Sequence, residues 1–236
     1  MISGHRGCRG GRLGSYLGCS RFNRPATGEG MTDTPSRYPI PSRPHRVEEV
    51  ILKSRFITAA SHAPDSEAAH VFLARSRDEF PDATHHCWAF VAGPPGSTTS
   101  IGMSDDGEPH GTAGRPMLTA LLHGGVGEIV AVCIRYYGGT KLGTGGLSRA
   151  YSGGVKLLLE SLPTEERVER VALRVVVDYG SVDALQRLFE EAEVVVESQD
   201  FGESVEYRLA VPKEHVETLA EAVAGVTRGR GMVQPI

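Results

Sequence analysis

Nine residues, GGTKLGTGG at 138–146, hold five glycines and a lysine. Glycines let the main chain approach a ligand, and a helix predicted to start near Leu147 turns unpaired N–H groups of Leu147 and Ser148 toward whatever sits in the loop. Lys141 and Arg149 add full positive charges, so the segment has the outline of an anion cradle in which a phosphate is at home. The spacing is neither the Walker pattern nor GxGxxG, so it specifies no nucleotide. A tight turn that needs glycine for positive φ explains the same residues equally well.

A second loop, SDDGEPHG at 104–111, carries Asp105, Asp106, Glu108 and His110. Its oxygens could hold Mg²⁺ and His110 could serve as a general base, although a solvated or arginine-paired loop is the commoner use of such residues. Arg135 lies in an apolar stretch, where a guanidinium demands acidic partners, and Asp105, Asp106 or Glu108 could supply them. Tyr136 and Tyr137 follow it and point to opposite faces of a strand, so at most one can be a stacking platform for a base. His85, His86 and Cys87 are adjacent on a predicted strand, diverge, and cannot converge on zinc. Ser104, Thr112, Thr140, Thr144 and Ser148 offer hydroxyls, but no GxSxG elbow or HExxH helix surrounds them. Cys133 reads as core and Cys87 as a weak thiolate candidate. No catalytic residue, metal site or cofactor follows from these patterns.

These groups need a scaffold. The four prolines of TPSRYPIPSRP, at 34–44, forbid helix and place the start of order near Arg46. The β-branched and aromatic run 47–60 predicts a strand with a bend at Lys53 or Ser54. Pro64 and Asp65 open a helix whose face carries Ala68, Ala69, Phe72 and Leu73 and which ends at Pro81. A strand at 85–93, a loop at 104–116, a short helix from Pro116 and a strand at 128–137 follow. The last is apolar without alternation, which indicates burial on both faces. The next helix carries Gly153 and Gly154 inside it, which implies close approach to another backbone. Beyond Pro163 the order is strand, helix with Ser181 as N-cap, strand, strand, helix and short strand. In about 70 residues this is a ferredoxin-like βαββαβ unit with Leu185, Leu188, Phe189, Leu219 and Val223 in its core.

The chain has 236 residues, 25 basic and 29 acidic, and no apolar run long enough for a membrane span. Residues 1–30 hold five arginines, one acid and eight glycines; without them 20 basic and 28 acidic residues remain. That extension lacks an apolar h-region and loosely resembles an organellar transit peptide, but a disordered extension ahead of a start at Met31 is the simpler reading. The four cysteines are scattered, which fits a reducing cytoplasm and no disulfide framework. An acidic body binds polyanions only through a local patch. The one local excess of base runs from Gly114 to Lys156, with Arg115, Arg135, Lys141, Arg149 and Lys156 against Glu128. From Pro163 onward eight basic residues face fifteen acidic ones.

HHCWAFV, then SDDGEPHGTAGRPML, then VCIRYYGGTKLGTGGLSRAYSGG closely resemble the YigZ/IMPACT family, in order. Cys133 stands where an aliphatic residue is usual in that family. The resemblance implies an α+β protein: a domain at 46–162 with the left-handed βαβ topology of elongation factor G domain IV, then a ferredoxin-like domain at 163–236, with 1–45 a disordered extension. It also implies a family surface patch of Arg135, Tyr137, Gly138, Gly139, Lys141, Gly143, Gly145, Gly146 and Arg149, lined on its other side by Asp105, Asp106, Glu108 and Thr112. Likeness to translation factors points to a non-enzymatic, cytoplasmic protein that contacts RNA or the ribosome. The alternatives are a small-ligand protein or enzyme acting on a phosphorylated metabolite or nucleotide with Mg²⁺, and a regulator that binds a protein partner, as eukaryotic relatives do.

Overall fold

The computed structural model describes residues 35–236. The expectation of a disordered extension lies, for residues 1–34, outside the described residues. The proline-rich run does not delay order: β1 (Arg37–Pro41) is a strand, antiparallel to β7 (Thr164–Val168). Proline is excluded from helix interiors and central strands, but a two-stranded ribbon gives each strand one unpaired edge, where its missing N–H does no harm.

The run at 47–60 is not one bent strand. It forms a hairpin of β2 (His45–Ile51) and β3 (Ser54–His62), with Leu52 and Lys53 in the turn at φ 45° and 66°. Two positive-φ residues match the right-handed twist of the flanking strands, as in a type I′ turn. From β3 the chain passes through α1 (Ser66–Glu79), capped by an Asp65 Oδ1 that accepts from the Ala68 N–H at 2.8 Å, into β4 (His85–Val91). A short strand the sequence did not announce, β5 (Ile101–Ser104), precedes α2 (Gly114–Leu122), β6 (Ile129–Tyr136) and α3 (Gly143–Ser161).

The strands make a five-stranded antiparallel sheet in the order β2-β3-β6-β4-β5. β6 is central, and every residue but Tyr136 is buried, because α1 covers one face of the sheet and α2 and α3 the other. Inside α3, Gly154 does make a close approach, but to side chains and not to the expected backbone: a Cβ there would come 2.5 Å from Thr58 Oγ1. Gly153 faces open space.

After β7, the chain runs β8 (Arg170–Val177), α4 (Val182–Glu191), β9 (Val195–Phe201), β10 (Val205–Pro212), α5 (Val216–Val226) and β11 (Met232–Pro235). The sheet order β11-β8-β10-β9, antiparallel throughout, is the ferredoxin-like arrangement. Leu185, Phe189, Leu219 and Val223 are buried on it, with Leu188 partly so. Ser181 stands at the N-cap of α4, yet its hydroxyl donates to Asp178 at 2.6 Å instead of capping. The fold is α+β, with three apolar clusters: one on each face of the five-stranded sheet and one on the four-stranded sheet.

Candidate functional site

The acidic loop is built around its own backbone. Asp105 accepts from the N–H groups of Gly111 at 2.7 Å, Ala113 at 2.9 Å and Gly114 at 2.9 Å, thereby closing the N-terminal end of α2 from six to nine residues away. Burial opposes its charge, but the three donors outweigh burial and hold the carboxyl below its usual range. Asp106, at φ 43°, accepts from the His86 N–H at 2.7 Å and from Arg77 at 3.0 Å. Its carbonyl oxygen is 2.8 Å from His85 Nδ1. Thr112 is buried and donates to the Pro109 carbonyl at 2.6 Å. His110 is fully exposed, 3.8 Å from Asp105. The carboxylates thus turn to different protein donors, and among the described residues no three His, Cys, Asp or Glu side chains are grouped to hold a metal ion.

Glu108 supplies the partner that Arg135 requires. Both side chains are about 95% buried and hydrogen-bonded, and Tyr151 on α3 also donates to Glu108 Oε1, at 2.7 Å. Burial pushes the Tyr151 phenol up, so it remains a donor. The second guanidinium nitrogen reaches Ser54 Oγ at 3.3 Å, and the guanidinium lies 5.2 Å from the Phe56 ring and 5.5 Å from the Tyr137 ring. Strand register explains this cluster: Phe56 and His85 both pair with Arg135, one on each side, so the three form a row across one face of the sheet. Arg135 is therefore a buried floor, not a surface residue. Tyr137, by contrast, is 47% exposed, whereas Tyr136 donates to Asp82 at 2.9 Å.

The glycine-rich segment divides into two parts. Gly138 packs on the β2–β3 turn so tightly that a Cβ would lie 1.9 Å from the Lys53 carbonyl oxygen, and its N–H donates to Ser54 Oγ at 3.2 Å. Gly139 is exposed, and Lys141 projects beside it. Gly143, Gly145 and Gly146 do not precede the helix; they form the first turn of α3, which starts at Gly143 with φ 72° and has no side-chain cap. Arg149 lies over this turn, with Nη1 3.6 Å from a Cβ built on Gly145.

The structure brings Lys141, Gly143, Tyr137, Arg135 and Glu108 to the edge of a cleft of about 500 Å³. Arg149 lines a different cleft, of about 690 Å³, between α2 and α3. Four participants were not read from the sequence as site residues: His85, Ser54, Tyr151, and Thr84, whose Oγ1 accepts from the Tyr137 N–H at 3.1 Å. His85 had a usable signal, since it begins a strand two residues before buried Cys87 and so shares its face. Tyr151 had one too, as a buried tyrosine needs a hydroxyl partner. Nothing in the sequence marks Ser54 or Thr84. Cys87 is not a thiolate candidate: it is fully buried, its thiol donates to the Asp105 carbonyl at 3.0 Å, and burial pushes its pKa up. Burial also pushes Cys133 up, to about 12.

Residues 52–159 match the Impact N-terminal domain, and residues 175–230 match a domain of unknown function, DUF1949. The chain is 43% identical to an IMPACT family member of Haemophilus influenzae, over 84% of this chain and 97% of that one. The chain belongs to the IMPACT family. It is also 43% identical to the Escherichia coli IMPACT family member YigZ, over 80% of this chain and 93% of the relative, and 32% identical to YvyE of Bacillus subtilis, over 79% and 85%. A solved structure described as a hypothetical protein is 42% identical, has a TM-score of 0.62, and is matched over 85% of this chain and 97% of its own. The HHCWAFV, DDGEP and GGTKLGTGG segments all lie inside the Impact N-terminal match, so family membership coincides with the cleft-building loops. Among the described residues, no helix is long and apolar enough to cross a membrane.

Proposed function

We propose that this IMPACT-family protein is a non-enzymatic, translation-associated RNA- or ribosome-binding protein of the cytoplasm, with its phosphate contacts on the α2–α3 side of the five-stranded sheet. The observation that carries this reading is a groove lined by three cations that the protein does not pair. Arg37, Arg55, Arg77, Arg135, Arg167 and Arg174 all have carboxylate partners. Arg115, Arg149 and Lys156 line the groove between α2 and α3 together with His123, and among the described residues none of these three cations has an ion-pair partner within 4.0 Å. Lys141, on the glycine-rich loop, likewise has none. Hydroxyls of Thr119, Ser148 and Ser152 line the same groove, and Glu160 is its one acid.

Cations spaced along a groove with hydroxyls between them suit a phosphate backbone, where each Lys or Arg contact releases counterions and gives affinity without sequence. The fifteen acids after Pro163 help this surface by repelling RNA from the other half of the chain. The test is the salt dependence of binding to a structured ribosomal RNA fragment and of co-sedimentation with ribosomes. Arg149→Ala and Lys156→Ala should each reduce the log–log salt slope by about 1 and weaken binding evenly across sequences. A slope that neither change alters removes the groove as the RNA surface.

A further inference from the structure

The 500 Å³ cleft between the acidic loop and α3 has two chemically different ends, and the RNA-backbone reading uses neither completely. At one end α3 begins. Its nineteen residues start without a side-chain cap, so the first-turn N–H groups at Gly143, Thr144 and Gly145 have no side-chain acceptor, and Lys141 lies beside them. That end attracts an anion.

At the other end Glu108 forms the floor with a side chain only 4% exposed. The hydrogen bonds from both Arg135 and Tyr151 go to its Oε1, and Oε2 has no protein donor. Oε2 is thus left with unused acceptor capacity on a residue that lines an open cleft, where a ligand O–H or N–H can reach it. His85 adds a second acceptor. With Nδ1 bonded to the Asp106 carbonyl, the neutral imidazole carries its proton there and leaves Nε2 free, 4.0 Å from Glu108 Oε1. The charge of Glu108 is matched by buried Arg135, so a bound anion faces no uncompensated carboxylate. The cleft is also lined by the exposed ring of Tyr137, 5.5 Å from the Arg135 guanidinium, and by Pro109, Leu142 and Leu147.

We propose that this cleft binds one nucleoside 5′-monophosphate unit: phosphate on the α3 N-terminus and Lys141, ribose hydroxyls donating to Glu108 Oε2 and His85 Nε2, and the base against Tyr137. An anion acceptor, two hydroxyl acceptors and a flat aromatic surface in one cleft are complementary to that combination and to no single part of it. The proposal stands apart from the RNA groove, whose cations Arg115 and Lys156 do not line this cleft.

The experiment is calorimetric titration of the full chain with adenosine 5′-monophosphate, ribose 5-phosphate and adenosine. Binding of the monophosphate, with ribose 5-phosphate weaker, is expected. Lys141→Ala should weaken both phosphate ligands about tenfold while leaving adenosine unchanged, and Tyr137→Ala should weaken the monophosphate but not ribose 5-phosphate. Both side chains are exposed, so these variants test the site without disturbing the core; Glu108→Gln adds a test of the hydroxyl end. Competition by a 5′-phosphorylated oligoribonucleotide assigns the unit to an RNA terminus, and absence of competition assigns it to a free nucleotide; the site stands in either case. No heat from any probe at about 10 mM overturns the proposal. Binding that survives Lys141→Ala and Tyr137→Ala but disappears in Arg115→Ala/Lys156→Ala overturns it too, by moving the phosphate to the groove.

Discussion

Glu108 and Glu128 are both buried acids on the same sheet domain, and they are buried for opposite ends. Glu128 spends both oxygens on the protein: Tyr38 donates to Oε1 at 2.8 Å, Arg167 pairs with the same oxygen, and His62 bonds Oε2 at 2.7 Å. Tyr38 is on β1 and Arg167 on β7, so this carboxylate fastens the two-stranded ribbon to the five-stranded sheet. Glu128 accepts φ 47° to do so. Glu108 uses only one oxygen and leaves the other at a cleft. A saturated buried carboxylate is fully used in holding the fold, and one with an unused oxygen beside open space can still accept from a ligand.

Their cationic partners differ as well, and this sets the largest expected effect. Arg135 is 5% exposed and has nowhere to go if Glu108 is removed, whereas Arg167 is 47% exposed and can turn into water. Glu108→Ala should therefore cost about 3–5 kcal/mol of unfolding free energy, the penalty of an uncompensated buried charge. Glu108→Gln/Arg135→Met removes the buried charge and keeps an acceptor for Tyr151, so it should recover most of that loss. Urea unfolding of the three chains checks both statements, and a double variant as unstable as Glu108→Ala contradicts the buried-charge account.

Glu128→Gln should cost less, about 1–3 kcal/mol, because it weakens hydrogen bonds without stranding a cation. Burial pushes the Glu128 carboxyl up, but hydrogen bonds from His62 and Tyr38 and the Arg167 charge prevail, and its pKa lies below the usual carboxylate value. A lowered folded pKa gives stability that is present above the unfolded value and is lost as pH falls through the folded one. The stability gap between the native chain and Glu128→Gln should thus be constant above about pH 5 and shrink toward acid, as measured by urea midpoints across pH. A gap that widens toward acid reverses the sign and rejects the assignment.

The comparison also separates what the residues announced from what they concealed. The need of Arg135 for an acid was legible in an apolar strand carrying one guanidinium, and Glu108 was among three acids named for it. Which of the three was not legible, because Asp105 is consumed by backbone donors, and Asp106 by the His86 N–H and Arg77, all placed by the folded path of the chain. The ferredoxin-like half was readable from alternation and turn residues alone. The ribbon was not: prolines at 39 and 41 argue against a strand locally, and the pairing of β1 with β7 joins segments more than a hundred residues apart. The glycine-rich segment misled in a related way. Glycines 143, 145 and 146 are poor helix formers, yet they open α3, where the missing side chains leave the first turn uncovered.

Ser54 offers the finest division between the two acids. Its hydroxyl oxygen, fully buried, accepts from Arg135 at 3.3 Å and from the Gly138 N–H at 3.2 Å, so one atom ties the cleft floor to the glycine-rich loop. Both contacts are long, and Ser54→Ala should cost only about 1–2 kcal/mol. The loss has a location: amide exchange at Gly138 should accelerate, with that of Gly127, whose N–H bonds to the Pro39 carbonyl beside Glu128, unchanged. Equal acceleration at both amides would mean that the two buried acids share one cooperative unit, and the distinction between a cleft and a clamp would have to be abandoned.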